Sequence, residues 1–153
     1  TGAATAYGNG ANAGSLGSAA GTVAWQTAAD TALSGLVIVD NNAYADTTNT
    51  PSRAMCTHLP PKQDTDALFT ATQWLLRRYA SVRVTKNVTV KSLEVEGANV
   101  RIFLDGYTLS TKALIIDDVA LKAGAYTEAD YPALLKGSGT LVVQSLGTLI
   151  SIR

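Results

Sequence analysis

From Ser81 onward, apolar and polar positions alternate with a period of two. Val82/Val84, Val88/Val90, Leu93/Val95, Val100/Ile102/Leu104 and Tyr107/Leu109 are interleaved with Arg83, Thr85, Thr89, Glu94, Glu96, Arg101 and Thr108. Such alternation predicts strands with one buried and one wet face. The breaks between them are short: Lys86-Asn87, Lys91-Ser92, Gly97-Ala98-Asn99 and Asp105-Gly106. Asp105-Gly106 fits a hairpin turn, but breaks this tight between such short strands also suit the corners of a coil that bends and continues. The pattern resumes in Leu114/Ile116, Val119/Leu121, Leu141/Val143 and Leu146/Leu149/Ile150, with a loop from Lys122 to Gly139 between them. The chain closes on a strand-like run, Thr148 to Arg153, and a terminal strand offers an edge to another chain.

The first half reads differently. Residues 1–21 are dominated by Gly, Ala, Asn and Ser, with Tyr7 and Leu16 as the only large apolar side chains. This segment buries too little to order itself and is expected to be a flexible tail or an arm lying along another subunit. Residues 22–63 form a strand and loop region, with Thr22 to Trp25 and Leu33 to Val39 as strands, a turn-rich stretch from Asp40 to Pro51, and Pro60-Pro61 at its end. Residues 64–153 form the main domain. It opens with an amphipathic helix predicted over about residues 65–79: Asp64 or Thr65 can cap it, Leu68, Ala71, Leu75 and Tyr79 recur at helical spacing, and Arg77 and Arg78 suit its C-terminal end. Such a helix would flank the strands or cap an open end of their stack.

Three segments together resemble the β-solenoid repeats of bacterial surface and autotransporter-passenger proteins. They are Val88-Thr89-Val90-Lys91-Ser92-Leu93-Glu94-Val95, then Val100 to Leu109 with Leu104-Asp105-Gly106-Tyr107-Thr108-Leu109, then Lys122 to Thr127 through Gly137-Ser138-Gly139-Thr140-Leu141-Val142-Val143. The resemblance covers residues 81–143. It implies a right-handed parallel β-helix of about three or four rungs, an extracellular or cell-surface setting, and a structural or adhesive role. The expected fold is therefore mainly β, a short β-solenoid with one helix beside it.

Composition narrows the partners. Of the 153 residues, 46% are apolar but only 16% are charged, and 12 basic residues balance 12 acidic ones to a net charge of zero. A neutral surface does little to repel copies of itself. It also lacks the attraction that nucleic acid or anionic lipid would need. No apolar run approaches the roughly 20 residues of a membrane span. The chain opens on Thr1-Gly2-Ala3-Ala4 rather than Met, and removal of an export signal is one way to obtain such a start. Cys56 is the single cysteine, so no intrachain disulfide is available; it is read as a small buried hydrophobe, with an intersubunit disulfide or a reactive thiol as the alternative.

Convergent chemistry is scarce. His58 and Cys56 make half a zinc site with no second pair, and as a catalytic pair they would lie two residues apart on a strand. Asp117-Asp118 and Glu128/Asp130 are read as solvated turns, although paired carboxylates on a rung would suit a polysaccharide-acting enzyme. Asp40, Asn41, Asn42 and Asp46 lack the spacing of a calcium loop. Gly8-Asn9-Gly10 has no preceding strand and is not a phosphate loop, while Asn87-Val88-Thr89 matches the N-glycosylation pattern.

These readings converge on a secreted, non-catalytic structural protein without cofactor or metal, the self-assembling subunit of an extracellular filament or surface layer. Its partner is itself, with surface polysaccharide as a further one. Tyr7, Trp25, Leu149, Ile150 and Ile152 are the expected intersubunit contacts. The alternatives are a carbohydrate-binding adhesin module using Tyr44, Tyr126 and Tyr131 as sugar platforms, and a fragment of a β-helix polysaccharide enzyme using Asp117 and Asp118.

Overall fold

The computed structural model describes residues 21–25, 34–41, 56–59 and 70–145. Its strands are β1 (Gly21–Trp25), β2 (Gly35–Asp40), β3 (Thr57–Leu59), β4 (Thr72–Arg77), β5 (Ser81–Val84), β6 (Val88–Val90) and β7 (Ser92–Glu96). They continue as β8 (Arg101–Phe103), β9 (Thr108–Thr111), β10 (Leu114–Ile116), β11 (Val119–Ala120), β12 (Gly124–Tyr126), β13 (Leu135–Lys136) and β14 (Thr140–Val143). Three sheets result: a six-stranded sheet A in the order β1-β2-β4-β7-β10-β11, and four-stranded sheets B (β13-β8-β5-β3) and C (β12-β14-β9-β6).

From β4 to β10 the chain visits sheets A, B and C in rotation, and each strand pairs parallel with the one it lies over. Parallel register stacks like on like. In sheet A one inward column runs Val39, Leu76, Val95, Ile116 and another Val37, Trp74, Leu93, Leu114. Sheet B contributes Val82, Ile102 and Leu135, and sheet C contributes Val88, Leu109 and Leu141. These columns meet in one apolar core. Thr111, fully buried beside Val90 and Val143, is accommodated because its hydroxyl donates to the Ala113 carbonyl at 2.7 Å.

The corners carry the backbone strain. Arg78 and Tyr79 after β4, Asn99 after β7, and Asp117 and Asp118 after β10 all have positive φ. Polar side chains bridge neighbouring layers there. The Asp40 carboxylate, at the end of β2, accepts from Arg77 Nε at 2.8 Å and from Arg78 Nε at 2.8 Å. One corner further round, Arg83 Nε donates to Asp105 Oδ2 at 2.5 Å.

The fold expected from the sequence is corrected in two respects. The described residues contain no helix: of residues 65–79, Thr72–Arg77 is the strand β4 inside sheet A, and 65–69 lie outside the described residues. Thr72, Trp74 and Leu76 are buried and Gln73 is exposed, so the burial period is two rather than 3.6. The run Trp74-Leu75-Leu76 satisfies either period, and pairing with β2 and β7 on both sides decides it. Nor is the architecture the short right-handed parallel β-solenoid expected from the sequence. The sheets are mixed, with antiparallel pairs β1–β2, β10–β11 and β12–β14. The rotation also breaks after β10, where β11 turns back in sheet A and the chain then passes through C, B and C.

Candidate functional site

The inward column of sheet A does not stop at Ile116. Asp117 and Asp118, with φ of 47° and 65°, form a two-residue hairpin that places Val119 opposite Ile116. Val119 thus extends the column Val39, Leu76, Val95, Ile116 by one more layer, at the edge of the sheet. It is 64% exposed, the most exposed large apolar side chain among the described residues. Among the described residues, the opposite edge of the same sheet is β1, whose Trp25 is 42% exposed. Both edge strands run antiparallel to the strands inside them. Sheet A therefore presents an apolar residue at each end, Val119 on the inner face and Trp25, opposite Leu36, on the outer face, and a core column that reaches solvent.

Of the residues expected at a subunit contact, the structure places Trp25 on that edge; Tyr7, Leu149, Ile150 and Ile152 lie outside the described residues. Val119 escaped the sequence reading because Val119/Leu121 looks like one more core pair. The signal was the Asp117-Asp118 dipeptide, since Asp tolerates the left-handed conformation that a tight hairpin demands.

The other chemically suggestive residues are tied into the fold. Asp117 Oδ1 accepts the Gly97 N–H at 2.6 Å, joining two corners. Asp130 Oδ2 accepts the Thr127 N–H at 2.8 Å and its hydroxyl at 2.9 Å, and these bonds hold its pKa below the ordinary carboxylate value. Glu128 accepts the Gly137 N–H at 2.8 Å and pairs with Lys136 at 3.3 Å, and its pKa is lowered for the same reasons. Tyr126 and Tyr131 meet edge to face, with centroids 5.5 Å apart, and pack against the core rather than forming an open sugar platform. Tyr44 lies outside the described residues.

Cys56 is buried and His58 is half-buried on β3, beside Arg83 of β5. Among the described residues, no three His, Cys, Asp or Glu side chains converge as metal ligands. Of the weighed calcium set, Asp40 is bound by Arg77 and Arg78, and Asn42 and Asp46 lie outside the described residues. Asn87 of the Asn87-Val88-Thr89 pattern accepts the Thr108 N–H at 2.8 Å across the β6–β9 corner. No helix among the described residues is long and apolar enough to cross a membrane.

Comparison with known proteins returned no matching family model, curated protein or solved structure.

Proposed function

We propose that the protein is a structural subunit that assembles with copies of itself outside the cell or on its surface. The observation that carries this reading is the pair of exposed apolar residues, Val119 and Trp25, on the two opposite edges of one sheet. An edge strand offers unpaired backbone groups to another chain, and covering Val119 would extend the core column by a further layer. The two edges are different surfaces, so their contact is head to tail, which generates an open filament or a ring. Because β1 and β11 both run against the interior strands, a head-to-tail joint sets β11 of one copy parallel to β1 of the next. The zero net charge places no long-range repulsion in the way. The extracellular setting is supported by the resemblance over residues 81–143.

Sedimentation velocity across a wide concentration range, with negative-stain imaging of the same samples, tests the proposal. Concentration-dependent growth into regular oligomers or filaments is the expected result. A monomer that persists at the highest concentration overturns it.

A further inference from the structure

A second surface, remote in character from the apolar sheet edges, is a trough of about 490 Å³ on the outer side of sheet C. It is lined by Thr70, Asn87, Val88, Thr89, Thr108 and Ser110. Parallel pairing of β6 with β9 sets Thr89 beside Ser110. Asn87 is fixed against the next layer by the hydrogen bond its side-chain oxygen accepts from the Thr108 N–H. The lining thus carries four hydroxyls and one carboxamide, and Val88, whose side chain is in the core, lies beneath.

From this trough we infer a binding site for an uncharged glycan. Its volume lies in the range of small-ligand sites. Every polar lining group both donates and accepts hydrogen bonds, the capability needed to match the hydroxyls of a sugar in either sense. Among the described residues the lining holds no ionisable side chain, so there a charged ligand would lose its hydration without gaining a counter-charge. An apolar ligand would strip water from the Thr89, Thr108 and Ser110 hydroxyls and return nothing to them. The lining includes residues of β9, one strand in from the β6 edge, so the occupant lies across the face of the sheet. That placement favours recognition by side chains over the addition of a peptide strand. The inference does not depend on self-assembly.

The test is an amide NMR titration of the whole chain with maltotriose, cellotriose and triacetylchitotriose, and with trigalacturonate as the acidic arm. Saturable shifts are expected for at least one neutral trisaccharide, centred on Thr70, Asn87, Thr89, Thr108 and Ser110. Thr89→Val and Ser110→Ala should each weaken that binding about fivefold, the loss of roughly one net hydrogen bond, with the dispersion of the remaining spectrum unchanged. No saturable shift with any neutral sugar, tighter binding of trigalacturonate, or unchanged affinity in the Thr89→Val, Ser110→Ala double variant overturns the inference. So does movement of the same amides on dilution of the protein alone, which assigns the trough to a second copy.

Discussion

Gly139 passes so close to Leu104 that a Cβ placed on it would stand 2.6 Å from the Leu104 Cβ and 2.6 Å from the Tyr107 carbonyl oxygen. Its φ of +137° lies in a region that residues with side chains rarely adopt. Strain and overlap both act against a side chain here, and Gly139→Ala is expected to destabilise the fold by about 2–5 kcal/mol. Gly97 separates the two effects. Its φ is +80°, yet nothing lies within 4 Å of its Cβ position, so Gly97→Ala should cost only about 1–2 kcal/mol. Urea unfolding of both variants checks the difference, and equal losses would contradict the close approach.

The core columns make a second contrast. Leu109 is fully buried in sheet C, with Val88 on one side and Leu141 on the other. Leu109→Ala should cost about 2–5 kcal/mol, the transfer of the lost methyl groups plus the cavity left behind. Ser81 is also buried, but among the described residues its hydroxyl has no hydrogen-bond partner. Ser81→Ala removes a polar group that gains nothing from burial, and should be neutral or stabilising by up to about 1 kcal/mol. The same unfolding measurement reads both variants.

Asp40 joins strands β2 and β4 at the rim of sheet A through Arg77 and Arg78. The carboxylate is nearly covered, whereas both guanidinium groups are more than a third exposed. Removing the acid therefore releases the arginines to water instead of stranding them. Asp40→Asn is expected to cost about 1–2 kcal/mol, less than breaking a fully buried pair. Hydrogen exchange of the β2 amides should accelerate in this variant, because β2 lies next to the edge strand β1.

Val82 to Leu109 alternates strictly, and β5 to β9, residues 81–111, follow that alternation. The alternation was legible because one face of each strand is sealed in the core while the other bears Arg83, Glu94 or Thr108. Residues 72–77 were misread as helical because Leu75, the outward residue between the buried Trp74 and Leu76, is apolar too. Leu75 sits in the outer row between Ile38 and Glu94, and no polar residue interrupts the run to reveal the period. The antiparallel return of β11 rests on the positive φ of Asp117 and Asp118. A pair of aspartates signals solvent first and a turn only second, so Val119 was assigned to the core instead of to an edge. The trough on sheet C was invisible for another reason: Thr89 and Ser110 are 21 residues apart in sequence and become neighbours only through the parallel register.

Glu128 and Asp130 make the loop between β12 and β13 sensitive to acid. Glu128 is held below the ordinary carboxylate value first by the Gly137 N–H and then by Lys136, and Asp130 by the N–H and hydroxyl of Thr127. Both values are depressed in the fold, so the stabilisation is fully present above the unfolded-state pKa and is lost as pH falls through the lowered folded values. The amide signals of Gly137 and Thr127 should therefore titrate below the ordinary carboxylate range. Glu128→Gln should abolish the Gly137 transition and leave that of Thr127 in place. A Gly137 transition that survives the substitution would assign the acid response elsewhere.

The apolar ends of sheet A are the last test, because they separate stability from assembly. Val119 is 64% exposed on a two-residue edge strand and contributes little burial within one subunit, while Trp25 is 42% exposed on the opposite edge strand, with more than half of its surface covered. Val119→Lys puts a charge where an added strand would have to pack, the device by which natural edge strands avoid pairing. Trp25→Ser removes the exposed apolar side chain that the other edge strand carries on the outer face of the sheet. Val119→Lys should unfold within about 0.5 kcal/mol of the parent, as surface substitutions do, and Trp25→Ser about 1–3 kcal/mol below it for the covered part of the ring, while oligomers seen by sedimentation velocity disappear from both. A mixture of the two variants carries one intact surface of each kind. If the joint is head to tail, it should form dimers through the unaltered Trp25 edge of one variant and the unaltered Val119 edge of the other, but no longer species. Recovery of long assemblies in that mixture, or oligomers that persist in either variant alone, would reject the joint.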